Sequence, residues 1–286
     1  MESTTLGKIN LNIPPAEKEQ LIRFRATHPI KKVTVAGASW EYIASGHGER
    51  TLLILPGLLG FGEMSFQLIT AFEDEYQVIS PTYPSTVTSM AQLIEGVVGI
   101  LASENIQQAH ALGSSAGGTV AQCLVRQYPN RVGKLILSHT GGPKAERARK
   151  NKRFLQVLPW LPMGLLRALL RLVTGKVLSE APAQRAFWQA YSDEMIASLT
   201  KADLLSRYQV ASDFDEHYAF ASNDLVGWPG SILILAGDND PLSTAEELIA
   251  LYAQAEVHIF HGTGHVASIA KPEEYVSVIK DFLSAG

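Results

Sequence analysis

The 286-residue sequence has one cysteine, so it lacks an internal disulfide framework and fits a reducing compartment. No run of about twenty residues is uncharged and apolar enough to span a bilayer. The opening residues have neither the basic region nor the apolar region of a secretory signal. Basic side chains are not in excess, because 24 Lys and Arg stand against 28 Asp and Glu. The sequence therefore predicts a cytoplasmic globular protein with no nucleic-acid partner.

The sequence alternates aliphatic strands with amphipathic helices. The segment "TLLILPG" from Thr51 is continuously aliphatic, as is typical of a strand buried on both faces. The alternation stops near Pro143 and resumes after Trp228 with "SILILAGDND". Strands that alternate with helices of ten to sixteen residues indicate a mostly parallel sheet covered on both faces. We therefore predict an α/β core from residues 1–142 and 228–286, interrupted by a helical insertion at residues 143–227.

One glycine-rich segment lies where a predicted strand becomes a predicted helix. Its residues 113–117, "GSSAG", fit the G-x-S-x-G nucleophile elbow, in which a sharp turn exposes the hydroxyl of the central serine, here Ser115. The next residue, Ala116, begins the helix, where backbone N–H groups are unpaired and the helix dipole favours negative charge. The alternative is a glycine-rich turn that packs closely for structural reasons alone.

A nucleophilic serine needs a base, and the base needs a group that orients it. Downstream, the loop after "LILAG" offers Asp240, and the loop after "VHIF" offers His265. The order Ser, Asp, His and the position of each residue just past a parallel strand both match a hydrolase site. Asp238 and His261 remain the runners-up for the acid and the base.

Hydrolysis at a carbonyl also requires donors for the developing oxyanion. We predict that the backbone N–H groups of Leu58, in "LPGLLG", and of Ala116 supply them. An ordinary Pro-Gly turn is the alternative for the first of these segments. Tyr83, His139 and Trp160 are candidates for the pocket lining, although Tyr83, between two prolines, could equally shape its loop, and His139 could be structural.

Four motifs in this order, "LPGLLG", "GSSAGG", "GDNDP" and "GTGH", resemble the α/β-hydrolase superfamily. The resemblance covers about two thirds of the chain. It implies an eight-stranded, mostly parallel sheet, a helical cap, neither metal nor cofactor, and a triad of Ser115, Asp240 and His265. Relatives of this fold that attack halides or epoxides place an aspartate at the elbow, where this sequence has a serine.

More narrowly, "FRATHPIKKVTV", "SPTYP" and "LSTAEELIALY" are similar to the maspardin branch. That resemblance implies a binding protein with an incomplete triad. This sequence keeps both His265 and Asp240, so we do not carry the non-catalytic inference over.

The insertion begins with basic side chains and continues through apolar helices, in "RARKNKRFLQVLPWLPMGLLRALLRLV". Such a segment can touch a membrane surface, but we favour a cap whose Leu, Trp and Met side chains face the pocket. An apolar cap favours a small hydrophobic acyl or aromatic substrate.

These patterns together predict a serine hydrolase that acts on a carboxylic ester. Carbon–carbon bond hydrolysis of a diketone-like compound by the same residues is the alternative within that class. A non-catalytic binding protein on the same fold is the alternative outside it.

Overall fold

The computed structural model describes residues 15–179, 181–243 and 245–285. Its eight strands form one sheet in the order β1-β2-β4-β3-β5-β6-β7-β8. Strand β2 runs antiparallel to both of its neighbours, and β3 to β8 run parallel. The predicted eight-stranded, mostly parallel sheet is confirmed. The strands are β1 Lys31–Val35, β2 Ala38–Ser45, β3 Arg50–Leu55, β4 Tyr76–Thr82, β5 Ala109–Ser114, β6 Val132–Ser138, β7 Ile232–Gly237 and β8 Glu256–Phe260.

Helices cover both faces of the sheet. On one face α3 and α4 pack in a cluster with Leu53, Leu135 and Ile234, and on the other face α1, α2 and α11 pack in a cluster with Leu52 and Leu233. Alternate residues of the same strands thus supply both layers, which explains why β3 and β7 are continuously aliphatic. The core helices are α1 Pro15–Thr27, α2 Phe66–Phe72, α3 Met90–Ser103, α4 Ala116–Gln127, α9 Ala245–Leu251, α10 Ala267–Ala270 and α11 Pro272–Ser284.

Four helices lie between β6 and β7: α5 Ala145–Val157, α6 Met163–Leu178, α7 Arg185–Ser198 and α8 Lys201–His217. Contacts join α5 to α8 and α6 to α7. These helices share their own apolar cluster, which includes Leu166, Leu170, Ile196 and Leu204. A capping box between Thr200 and Asp203 starts α8. No helix in the described ranges has the length and hydropathy that crossing a bilayer would require.

Two of these four helices are also tied to the core. Phe187 and Tyr191 of α7 join the cluster around α2 and α11, and Val210 and Phe214 of α8 join the cluster around α3 and α4. Arg25 of α1 contacts Glu63 at 2.6 Å and Glu194 of α7 at 2.8 Å, with all three side chains largely buried. The parallel strands β3 and β5 end at a cavity that α6 and α7 also line, at the edge where ligand sites of open α/β sheets form.

Candidate active site

Ser115 occupies a sharp turn between β5 and α4. Its φ of 53° and ψ of −120° are unusual for a residue with a side chain, and they store strain at the turn. A Cβ added at Gly113 would lie 2.4 Å from the Gly117 carbonyl oxygen, and one added at Gly117 would lie 2.1 Å from the Leu55 carbonyl oxygen. Only glycine fits at either position, so the two glycines allow β3, β5 and α4 to meet closely enough to form the turn.

His265 and Asp240 meet Ser115 from two neighbouring loops. His265 Nε2 lies 3.0 Å from Ser115 Oγ. On the other side of the ring, His265 Nδ1 lies 2.9 Å from Oδ2 and 3.1 Å from Oδ1 of Asp240. The Asp240 side chain is fully buried and that of His265 is 11% exposed. The three side chains therefore form one hydrogen-bonded series from carboxylate to imidazole to hydroxyl.

The carboxylate of Asp240 is held in its charged form. Burial alone would raise its pKa, but hydrogen bonds from His265, from the Ser243 hydroxyl and from the Leu242 N–H outweigh burial and lower the pKa to about 2. The Leu242 N–H donates at 2.8 Å. Asp240 is therefore ionised at neutral pH and accepts a hydrogen bond from Nδ1–H of the ring, which leaves Nε2 free to face the hydroxyl.

The runners-up Asp238 and His261 lie outside this series. They face each other, with His261 Nδ1 3.2 Å from Asp238 Oδ2, and Asp238 also accepts a hydrogen bond from the Gly262 N–H at 2.8 Å. The His261 side chain is 85% exposed. The structure thus places this pair at the protein surface, on the loops that carry Asp240 and His265.

His139 lies behind His265 rather than in the cavity wall. Its ring is 2% exposed and meets the His265 ring edge to face, with centroids 5.9 Å apart. The Tyr275 hydroxyl donates to Ser138 Oγ, which in turn contacts His139 Nδ1 at 2.8 Å. Burial, reinforced by His265, lowers the pKa of His139 to about 4. The ring is thus an uncharged packing surface for His265 at neutral pH. His139 is not part of the cavity wall, so of the two roles that the sequence left open for it, the structure favours the structural one.

The turn that contains Leu58 lies against the elbow. A Cβ added at Gly57 would be 3.7 Å from Ser115 Cβ, and the Gly60 N–H closes the turn by donating to the Gly57 carbonyl at 2.9 Å. Ala116 is the first residue of α4, so its N–H has no acceptor within the helix. The Leu58 and Ala116 amides thus lie on segments that flank the Ser115 hydroxyl.

Tyr83 is hydrogen-bonded to the turn that contains Leu58 and does not line the pocket. It is 4% exposed, and its hydroxyl donates to the Pro56 carbonyl at 3.3 Å. Its N–H donates to the Gly60 carbonyl at 2.8 Å. The buried Arg207 of α8 donates in turn to the Tyr83 carbonyl. Of the two roles that the sequence left open for Tyr83, the structure favours shaping the loop.

A cavity of about 290 Å³ opens beside Ser115 and His265. Among the described residues that form its wall there is no Lys, Arg, Asp or Glu. Apolar side chains dominate the wall, and they come from the Leu58 turn, from α6 and α7, and from the segment after His265. They include Leu58, Leu59, Phe61, Leu170, Val173, Val177, Trp188, Val266 and Ile269. The cavity therefore suits an uncharged, hydrophobic group.

Trp160 is not part of this wall. Its side chain is 86% exposed, in a short 3-10 turn between α5 and α6. The prediction that it lines the pocket is wrong, because α6 is apolar on both of its sides and sequence periodicity alone does not reveal which side faces inward.

Two supporting residues of the site were not predicted. Ser243 donates its hydroxyl to Asp240 Oδ2, and the Asp-Pro-x-Ser spacing of residues 240–243 is a turn signal that points to this contact. Arg207 carried no local signal, because it comes from α8, far along the chain from the turn that it supports. Within the described part of the chain, no group of three His, Cys, Asp or Glu side chains has the arrangement of a metal site.

Comparison with known proteins agrees with this architecture. Residues 33–278 match the model of the alpha/beta hydrolase family. The chain is 27% identical over 266 residues to a 2-hydroxy-6-oxononadienedioate/2-hydroxy-6-oxononatrienedioate hydrolase of Paraburkholderia phymatum, covering 85% of this chain and 90% of that one. It is 24% identical over 214 residues to a 2-hydroxymuconate semialdehyde hydrolase of Pseudomonas putida, covering 68% and 69% of the two chains.

Solved structures share the fold. A hydrolase from Pseudomonas aeruginosa superimposes with a TM-score of 0.75 at 20% identity, covering 90% of this chain and 98% of that one. The family match spans most of the core and all of the insertion. The eight-stranded sheet and the turn at Ser115 are features that the sequence motifs already indicated. The chain belongs to the alpha/beta hydrolase family.

Proposed function

We propose that the protein is a serine hydrolase that cleaves a carbon–carbon bond next to a ketone carbonyl. In this proposal Ser115 is the nucleophile, His265 the base and Asp240 the group that orients the base. The observation that carries it is the unbroken series of contacts from Asp240 through both ring nitrogens of His265 to Ser115 Oγ. The amides of Leu58 and Ala116 hold the oxyanion.

The reaction follows from these positions. Ser115 Oγ bonds to the carbonyl carbon while its proton passes to His265 Nε2, and the Asp240 carboxylate stabilises the imidazolium. The carbon–carbon bond then breaks, its electron pair leaves with the departing carbon fragment, and that fragment receives the proton from His265. Water, deprotonated by the same ring, hydrolyses the acyl-enzyme and restores Ser115.

The relatives support the carbon–carbon reaction over ester hydrolysis. The Paraburkholderia relative is named as the hydrolase of a hydroxy-oxo-dienedioate, a compound with no ester bond to break. Its substrate is a dicarboxylate, whereas the wall of this cavity, as far as the structure describes it, contains no cationic side chain. We therefore propose a ketone substrate with an apolar substituent where the substrate of that relative carries a carboxylate.

Hydrolysis of a carboxylic ester with a hydrophobic acyl group is the second candidate. The apolar cavity of about 290 Å³ favours it, because such a cavity accepts an acyl chain as readily as an aromatic ketone. We also propose that residues 143–227 act as the cap of residues 1–142 and 228–286, since α6 and α7 supply one side of the cavity.

The proposal is tested by labelling the purified protein with a fluorophosphonate probe, which reacts with activated serines. We expect labelling of the wild-type protein and none of Ser115→Ala, while Ser114→Ala, the matched control one residue away, keeps its label. Absence of labelling in the folded wild-type protein would contradict a serine hydrolase and favour the binding protein suggested by the maspardin resemblance.

The bond that is cleaved is tested with two substrate series. The first comprises 2-hydroxy-6-oxo-hexa-2,4-dienoates whose 6-substituent is phenyl, methyl or carboxyalkyl, and the second comprises p-nitrophenyl esters of increasing acyl length. We expect the phenyl ketone to have the highest kcat/KM and the carboxyalkyl ketone the lowest. A preference for the esters would replace the first candidate with the second. A preference for the carboxyalkyl ketone would contradict the proposed apolar substituent.

Tyr83→Phe removes the donor to the Pro56 carbonyl and loosens the turn that presents Leu58. We expect kcat to fall about tenfold with KM nearly unchanged, because oxyanion donors act mainly in the transition state. The free energy of unfolding should fall by about 1 kcal/mol. Steady-state kinetics and denaturant unfolding measure the two effects.

The control for this change is Tyr252→Phe. The Tyr252 hydroxyl is also buried and donates to Gln122 at 2.9 Å, outside the cavity wall. Its loss should cost similar stability but leave kcat within twofold of the wild-type value. Equal losses of kcat in both variants would show that the effect of Tyr83 is not specific to the turn.

A further inference from the structure

The exposed large apolar side chains are concentrated in one part of the insertion. Of the thirteen that are exposed in the described ranges, six fall within residues 157–173. We define the cap face as these six side chains: Val157, Trp160, Leu165, Leu169, Leu172 and Val173. Trp160 is 86% exposed and Leu172 is 71% exposed. A soluble surface seldom groups such side chains without a function in binding.

Helical geometry places the α6 members of the cap face on one side of that helix. Leu165, Leu169 and Leu172 follow the spacing i, i+4, i+7, while the buried Leu166 and Leu170 face the rest of the insertion. The helix is therefore apolar on its inner side, where neighbours cover it, and also on its outer side, which is open to solvent. The outer side is not needed for packing within the chain, so its composition requires another explanation.

The cap face adjoins the mouth of the cavity. Val173 is 52% exposed and also forms part of the cavity wall. Leu242, from the loop that carries Asp240, is 57% exposed and belongs to the same wall. An apolar surface thus continues from solvent into the site beside Ser115.

Charge distinguishes the segment from α5 to α6, residues 145–178, from the rest of the chain. Residues 145–178 contain eight Lys or Arg and one acidic residue, Glu146, whereas the remaining chain contains 16 basic and 27 acidic residues. Some of these cations are neutralised, since Arg147 pairs with Asp215 and Lys152 with Glu216. Within the described residues, no ion pair includes Arg149 or Arg153.

Arg149 and Arg153 share one exposed side of α5 with Val157, at four-residue spacing. Cations beside an exposed tryptophan and a leucine-rich helix match an anionic lipid surface, where the apolar side chains enter the headgroup boundary and the guanidinium groups bind phosphate. A bilayer of negative charge would also repel the acidic remainder of the chain and so orient the cap face toward it.

We propose that the cap face binds the surface of an anionic lipid bilayer, so that hydrophobic substrate enters the cavity from the membrane. The binding of the cap face to lipid rests on the exposed surface and its charge, whereas the entry of substrate from the membrane rests on the hydrophobic substrate proposed above. It revises the expectation that the Trp and Leu side chains of the insertion face the pocket, because Trp160 and Leu172 face solvent.

The test is a flotation assay of the full-length protein with vesicles of phosphatidylcholine, with and without about 30% phosphatidylglycerol. We expect binding to the anionic vesicles that weakens as salt is raised, and little binding to the neutral vesicles. Tryptophan emission provides a second measurement, because Trp40 and Trp188 are buried and Trp228 is half-buried, while Trp160 is exposed. On binding, the emission should shift to shorter wavelength, and the shift should vanish in Trp160→Phe.

Two double variants separate the contribution of the apolar side chains to lipid binding from that of the arginines. Trp160→Ser with Leu172→Ser should lower the partition coefficient at least about tenfold, and Arg149→Glu with Arg153→Glu should lower it by roughly the same factor and reduce its salt dependence. Val226→Ser, which changes an 83% exposed side chain outside the cap face, is the matched control and should bind like the wild type. Circular dichroism verifies that each variant is folded.

Three results would overturn the proposal. The first is a folded wild-type protein that does not float with anionic vesicles. The second is undiminished binding by the Trp160 and Leu172 variant. The third is a concentration-dependent dimer, detected by light scattering and lost in that variant, which would assign the cap face to a second copy of this chain.

Discussion

Replacing Asp240 by asparagine should lower kcat by about 10⁴-fold while the fold is retained. The side chain is fully buried and has the same shape as asparagine, so the packing around it survives. The chemical change is at the ring, because an amide that donates to His265 Nδ1 favours the tautomer whose proton is on Nε2, and that nitrogen can no longer accept the Ser115 proton. KM should change little, since Asp240 is not part of the cavity wall.

Asp238→Asn is the matched control, two residues earlier on the same loop. Asp238 contacts the exposed His261 and the Gly262 N–H, outside the series that ends at Ser115. Its kcat should stay within twofold of the wild-type value. A large loss in Asp238→Asn together with a small loss in Asp240→Asn would move the acid to the runner-up of the sequence analysis.

The pH dependence of kcat/KM tests whether a histidine is the base. The Asp240 pKa of about 2 keeps this carboxylate ionised throughout the range in which an imidazole titrates. We therefore expect the rate to decrease toward acid as the base is protonated, with Asp240 still charged. A rate that is undiminished well below about pH 5 would contradict a histidine base.

Gly117→Ala should both destabilise the protein and abolish most of its activity. The added methyl would lie 2.1 Å from the Leu55 carbonyl oxygen and 2.8 Å from the Pro56 carbonyl oxygen, which are backbone atoms that cannot rotate away. Relieving these contacts forces α4 away from β3, at a cost of about 3 kcal/mol or more in the free energy of unfolding. The melting temperature should fall by roughly 5–10 °C.

In Gly117→Ala the displacement of α4 from β3 also separates the Ser115 hydroxyl from the turn that carries Leu58. A displacement of about 1 Å at a reacting group costs about 100-fold in rate, so kcat should fall by at least that factor below the melting transition. Gly142→Ala is the control, because its added methyl would meet nothing within 4 Å. Its stability and kcat should match the wild type, and equal losses in the two variants would show that the contact with β3 is not the cause.

The sheet and the three central side chains of the site were predictable because each leaves a local signal. The strands β3, β6 and β7 contain aliphatic runs typical of buried strands, and the residues that follow parallel strands fall at one edge of the sheet. Asp240 is favoured over Asp238 because it lies further past the end of the strand, three residues after Gly237, and precedes Pro241. The structure separates these two aspartates by their partners, as the hydrogen bonds of His265 and His261 show.

Features that depend on distant parts of the chain were not predictable. The sequence did not predict helix α1, because among its residues 16–27 only Leu21 and Phe24 are buried, which is too short a stripe to give a helical period. The position of Trp160 was not predictable, because the apolar residues that follow it in α6 lie on both the inner and the outer side of that helix. The support of the Leu58 turn by Tyr83 and Arg207 joins three segments whose contacts exist only in the folded chain.

The anchoring of the insertion has a consequence for how the cavity exchanges its contents. Helix α7 is held by Arg25, which bridges Glu194 and Glu63, and α8 is held by Arg207 at Tyr83. Moving α7 or α8 away from the core would leave these largely buried charged groups without their partners, which is unfavourable, so we expect neither helix to swing as a lid. Among the described residues, the side-chain hydrogen bonds of α6 to other elements are those of Arg171 with Asp193 of α7 and of Arg167 with the Leu199 carbonyl. Its Leu166 and Leu170 pack in one apolar cluster with Ile196 of α7 and Leu204 of α8. We therefore expect the entrance to open by a movement of α6, whose polar contacts stay within the insertion, rather than by a movement of α7 or α8.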